Sequence, residues 1–72
     1  MTPEYHAYLL SDAWRHKRRS ILLRSMGICE GCNTARATQV HHLTYRRIFN
    51  EHDTDLVALC AVCHIAAHDK GV

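Results

Sequence analysis

Seventy-two residues allow one domain and no second one, and nine Lys and Arg against seven Asp and Glu leave a formal charge of +2 that does not by itself announce a nucleic-acid binder. A hydrophobic core at this length supplies only about 3–5 kcal/mol, so a staple is expected, and four cysteines offer one. No apolar run approaches the roughly 20 residues of a membrane span, and Met1 to Tyr5 lack the basic stretch and apolar run of a secretory signal. The expectation is a cytoplasmic protein with reduced thiols and no membrane partner.

In chain order, Thr2-Pro3-Glu4 opens a helix over about 3–9: Thr caps, Pro fits the first helical position, and Glu suits the helix dipole. Ser11 caps a second helix over about 12–25, with Leu10, Trp14, Ile21 and Leu22 near helical spacing and Gly27 as the C′ residue. Its exposed face carries Arg15, Lys17, Arg18, Arg19 and Arg24. Thr38 to His42 can form a short strand, 43–55 reads as a loop with at most a helical turn, and Leu56 to Leu59 is a buried strand candidate. A last helix runs from Cys60 to Asp69 and stops at Gly71.

Cys29-x2-Cys32 and Cys60-x2-Cys63 are separated by 27 residues. A Cys-x2-Cys turn aims two sulfurs at one point, and two such turns close a tetrahedral zinc site with sulfurs about 2.3 Å from the metal. The long spacer requires a folded insert between the two knuckles. Two disulfides, or one redox pair, are the competing readings; no secretory signal supports the first, and a strand-helix context is missing at Cys29 for the second. Zinc held here is part of the fold, because its binding energy is folding energy in a domain this small.

Seven histidines are several times ordinary usage. His41 and His42 are adjacent on a strand, so their side chains point to opposite faces and cannot do the same job. His64 and His68 are four apart on a helix and share one face. Three histidines with open coordination positions make a catalytic metal site, and a fourth is then free to act as a general base. The plain alternative for each alone is a polar surface or core residue. His6, His16 and His52 show no such pairing and read as solvated.

Cys29-x2-Cys32, then Val40-His41-His42-Leu43-Thr44-Tyr45, then Asp55-Leu56-Val57-Ala58-Leu59-Cys60-x2-Cys63-His64-x3-His68, resembles the HNH endonucleases, in particular their small zinc-stapled bacterial and phage members. The likeness covers about residues 10–69. It implies a small α+β fold: a ββα-metal (His-Me finger) core with a structural four-cysteine zinc site and leading helices. A single nuclease domain would then span 1–72, with the helices in 1–27 and the zinc knuckles and core in 28–70. The same resemblance makes His41, His64 and His68 ligands of one divalent ion (Mg, Mn, Ni, Co or Zn) and His42 the general base. The family's Asn position, which braces the loop around the base, falls on Asp55; an Asp keeps the acceptor, loses the amide donors and adds a charge. Asn50 is a candidate substitute for that amide.

The implied reaction is hydrolysis of a DNA phosphodiester, by nicking or double-strand cutting, with low intrinsic sequence specificity. Arg46 and Arg47, and the helix cluster Arg15, Lys17, Arg18 and Arg19, are the expected backbone-binding residues; a solvated face is the alternative for the cluster. Tyr45 reads equally as a substrate contact or as core. The partners expected are DNA and a larger phage or bacterial DNA-processing complex, with the chain itself a monomer. The alternative function is a non-catalytic zinc-containing module that binds DNA or a protein on the same scaffold, with Asp55 as its best support.

Overall fold

The computed structural model describes residues 2–69, and the side chains of His68 and Asp69 lie outside the described set. The expected stop at Gly71 lies outside the described residues. Helix α1 spans Pro3–Leu9, with the Thr2 hydroxyl accepting from the Tyr5 N–H at 3.1 Å. Helix α2 spans Asp12–Arg24. Ser11 joins the two: its Oγ accepts from the Trp14 N–H, and its own N–H donates to the Tyr8 carbonyl.

Helix α2 ends one residue earlier than the sequence predicts. Ser25 is the C-cap, and Met26, not Gly27, takes the C′ position in the left-handed region at φ 58°. The Met26 N–H donates to Leu23 and the Gly27 N–H to Leu22, the two bonds of a Schellman motif. Gly27 follows at φ 77°, so the chain leaves the helix through two left-handed residues. A side chain at φ 58° costs about 1–2 kcal/mol, which is why the motif pointed to glycine as C′.

Strands β1 (Gln39–His42) and β2 (Leu56–Leu59) pair antiparallel, with His42 opposite Leu56 and His41 opposite Val57. A 3-10 turn, Asp53–Asp55, leads into β2, and helix α3 follows over Ala61–Asp69. The result is a small α+β fold of three helices and one two-stranded sheet among the described residues. No helix of it is long and apolar enough to cross a membrane.

Strand alternation gives the sheet two cores. Leu56 and Ala58 face the helices and pack with Trp14, Ile21 and Ala37, with Val40 of β1 against them. Leu59 faces the other way and packs with Cys29 and Cys60, joined by Val57, Cys63 and Ala67. Arg24, expected on a solvated face, is instead a tie between these layers. Its guanidinium donates to both Glu30 carboxylate oxygens at 2.6 and 3.0 Å and to the Asp53 and Leu56 carbonyls. Glu30 in turn accepts from the Ala58 N–H at 2.8 Å.

Candidate functional site

The two Cys-x2-Cys turns meet. Cys29, Cys32, Cys60 and Cys63 are free thiols whose sulfurs lie within 4.8 Å of one another. Four sulfurs bound to one zinc would be separated by about 3.8 Å, the tetrahedral edge for a 2.3 Å bond. Amide donors surround them: Gly31 and Cys32 N–H on Cys29 Sγ, Cys63 N–H on Cys60 Sγ, and the Thr34 hydroxyl on Cys32 Sγ, at 3.3–3.4 Å. The Thr34 hydroxyl, with the Ala35 and Thr34 amides, draws Cys32 down to about 5. Burial works against the Cys29 thiolate, but the backbone donors outweigh it and lower its pKa. Hydrogen bonding with Cys60 and Cys29, with burial, pushes Cys63 up to about 12. At Gly31 a Cβ would stand 3.2 Å from Leu59 and 3.4–3.5 Å from the Cys63 and Cys29 sulfurs, so the turn closes tightly on the cluster. The donor set fits a metal ion, as the sequence spacing led one to expect.

His41 and His42 point to opposite faces of β1, as alternation requires. His41 meets His64 of α3, ring centroids 5.4 Å apart and planes at 76°. These two imidazoles suit a borderline divalent cation. His68, the third expected ligand, sits in the last turn of α3, and its side chain lies outside the described residues.

His42 faces the helices and is 4% exposed. Its ring is stacked between Trp14 (centroids 5.0 Å, 14°) and Tyr45 (4.9 Å, 16°). Nε2 lies 2.6 Å from Oε2 of Glu51, and Nδ1 lies 3.4 Å from the Tyr5 hydroxyl. The Tyr8 hydroxyl donates to the other Glu51 oxygen at 2.5 Å. Burial works against the Glu51 carboxylate, and the bonds from Tyr8 and His42 outweigh it, so its pKa stays below the ordinary value. A groove of about 290 Å³ runs along β1 and is bordered by both histidines of the pair, by His64, and by Tyr5, Arg18 and Tyr45.

Asp55 is buried and braces the loop after His42. Its carboxylate accepts from Arg47 Nη2 at 2.5 Å, Arg47 Nε at 2.8 Å and the His52 N–H at 3.0 Å, while its carbonyl accepts from the Leu43 N–H at 2.7 Å. The Arg47 guanidinium holds the Asp55 carboxyl below its usual range, and burial opposes it. Arg47, expected at a phosphate, is thus taken up by Asp55, the residue expected at the family's Asn position; Asn50 is exposed.

Of the other basic residues, Arg18 donates to the Thr38 carbonyl at 3.0 Å beside the groove, and Arg46 is exposed near it in sequence. Lys17 pairs with Asp53 at 3.5 Å, Arg15 pairs with Asp12 at 3.6 Å, and Arg19 is exposed. His6, His16 and His52 are exposed. Sequence reasoning did not single out Tyr5 or Glu51, and it placed Tyr8 only in the stretch Tyr8-Leu9-Leu10-Ser11-x2-Trp14 that resembles the family's leading helix, with no role at the site. Tyr5 and Tyr8 left a faint signal, two aromatics three apart on one face of a short polar helix. Glu51 left none.

No protein-family model matches the chain, and no curated protein matches it. Among solved structures, it is similar to the HNH endonuclease of the deep-sea thermophilic bacteriophage GVE2, determined with a manganese ion. The two share 26% identity and a TM-score of 0.75 over 93% of this chain and 83% of that one.

Proposed function

We propose that this chain, whose fold is that of an HNH endonuclease, is a metal-dependent nuclease that hydrolyses DNA phosphodiester bonds. The observation that carries the reading is the β1 histidine pair. One histidine meets His64, the other is clamped at both ring faces and at Nε2, and both border one groove. The four cysteines hold a structural zinc, and the chain works as one domain and as a monomer.

His41 and His64, with His68, would hold one divalent ion; manganese is the first to test, with Mg, Ni, Co and Zn beside it. Bound there, the ion supplies positive charge for the phosphoryl oxygens and the leaving 3′ oxygen. His42 takes a proton from water at Nδ1, the nitrogen turned toward Tyr5 and the groove. The resulting hydroxide adds to phosphorus, and the leaving oxygen departs with the electron pair of its bond. Arg18 and Arg46 contact the phosphate backbone, joined by Arg15, Lys17 and Arg19 on α2, while Arg47 and Asp55 keep the loop beside the base in place. Phosphate contacts carry the binding in this reading, with low sequence specificity and targeting by a larger phage or bacterial DNA-processing complex in the cytoplasm.

The near-complete burial of His42 favours a second reading, a non-catalytic zinc module that binds DNA or protein. Supercoiled plasmid nicking across the five metals separates the two. The nuclease converts plasmid with at least one ion, and His42→Ala loses about 10²–10⁴-fold. Equal cleavage by wild type and His42→Ala would remove His42 as the base. Metal counting adds a second check: one tight ion per chain fits the binding module, and a further exchangeable ion fits the enzyme.

A further inference from the structure

We infer that Glu51 is a positioning residue for His42: it fixes the imidazole proton on Nε2 and so leaves the lone pair on Nδ1, at the groove. This rests on the nuclease reading for its consequence and on geometry alone for its substance. Trp14 and Tyr45 fix the plane of the ring but not the rotation of its edge within that plane. Among the described residues, the charged group on that edge is Glu51, 2.6 Å from Nε2.

The side chain of Glu51 has no exposed surface. A carboxylate is an expensive way to fill such a space, since an apolar residue of similar volume would pack there without losing hydration. What a carboxylate adds is an acceptor that donates nothing while ionised. Tyr8 donates to one of its oxygens, which leaves the other for the ring. A neutral imidazole meeting that oxygen through Nε2 must carry its proton there, because two acceptors cannot bond each other. Nδ1 is then unprotonated and turned toward Tyr5 and the groove. The residue reaches its place through the loop between β1 and β2, and the Tyr8 bond links that loop to α1 across 43 positions.

The test reads the proton directly. Long-range ¹H–¹⁵N correlation on the zinc-loaded full chain, without DNA and at mildly alkaline pH, reports which ring nitrogen of His42 is protonated. The expected wild-type pattern is Nε2–H. Glu51→Gln is isosteric and places an amide that can donate toward Nε2, so the pattern moves to Nδ1–H or to a mixture. In plasmid nicking, the same variant loses about 10–100-fold in kcat, with KM within about twofold and zinc content unchanged. Tyr8→Phe leaves the His42 bond in place, keeps the Nε2–H pattern and loses less kcat than Glu51→Gln.

An Nδ1–H pattern in wild type overturns the inference, as does a Glu51→Gln variant with the wild-type pattern and wild-type kcat. Should Glu51→Gln not fold, the wild-type spectrum decides alone. If wild type cleaves with none of the metals, the nuclease reading falls, and the spectra still decide whether Glu51 sets the tautomer.

Discussion

Stripping the metal from the four cysteines should unfold the chain, and the structure sets the scale. Among the described residues, Ile21, Leu56 and Cys29 are the largest side chains with less than 2% exposure. Ile21 and Leu56, at about 1.5–3 kcal/mol each, contribute on the order of 5 kcal/mol, in line with the 3–5 kcal/mol expected of a core in so short a chain. A structural zinc contributes an apparent 10–16 kcal/mol or so near neutral pH, which exceeds the core. One knuckle precedes β1 and the other joins β2 to α3, so losing the metal also frees the helix that carries His64. The assay is circular dichroism through a thermal melt, with and without a strong chelator, while a colorimetric dye counts released zinc. Helix signal and cooperative melting should disappear together as one equivalent per chain is released. A chelated chain that still melts cooperatively within a few degrees of the loaded one would refute the argument. Acid should act in the same direction. The metal needs thiolates, and protons compete with it for the sulfurs, so its contribution is lost as the solution is acidified.

Two further outcomes follow from the charged residues. Because Arg47, against an opposing burial effect, lowers the Asp55 pKa, their pairing stabilises the fold above the ordinary carboxyl range and fades as pH falls through the folded value. Arg47→Ala should therefore show its largest Tm deficit near neutrality, and the gap should close in acid; a gap independent of pH would exclude the pair as its source. In DNA-binding titrations against salt, Arg46→Ala and Arg18→Ala should each reduce the slope of log K on log salt by about 0.9. Arg47→Ala, whose guanidinium is taken up by Asp55, should leave that slope unchanged.

What could be read from the sequence was local. Thr2 and Ser11 cap their helices through residues three positions on, and each Cys-x2-Cys turn carries its geometry in its own spacing. The alternation of His41 and His42 needed only the strand period. The environment of His42 was not readable in that way. Its partners Tyr5 and Trp14 lie on α1 and α2, and Glu51 sits in a polar loop without periodicity. The pairing that brings them together is set by packing, not by any local pattern. Asp55 looked like a weakened site residue because the compensating charge, Arg47, is eight positions away and reads on its own as a phosphate contact.

The two-sided sheet divides the proposed chemistry between two structural halves. On one face of β1, His41 is opposite Val57 and meets His64, whose helix starts at the zinc knuckle and shares its core of Cys29, Leu59 and Cys60. On the other face, His42 is opposite Leu56 and rests on Trp14, which belongs to the core of the helices with Ile21 and Ala58. The cysteine half therefore positions the imidazoles that would hold the ion, and the helical half positions the proposed base, His42. Among the bonds that join the halves are the β1–β2 ladder, Glu30 with Ala58, and Arg24 reaching from the end of α2 to Glu30 in the knuckle and to the Leu56 carbonyl. Cutting that tie with Arg24→Ala should loosen the knuckle, and with it His64 on α3, against the helical half, so under the proposed reading the spacing of ion and base depends on a residue that touches neither histidine.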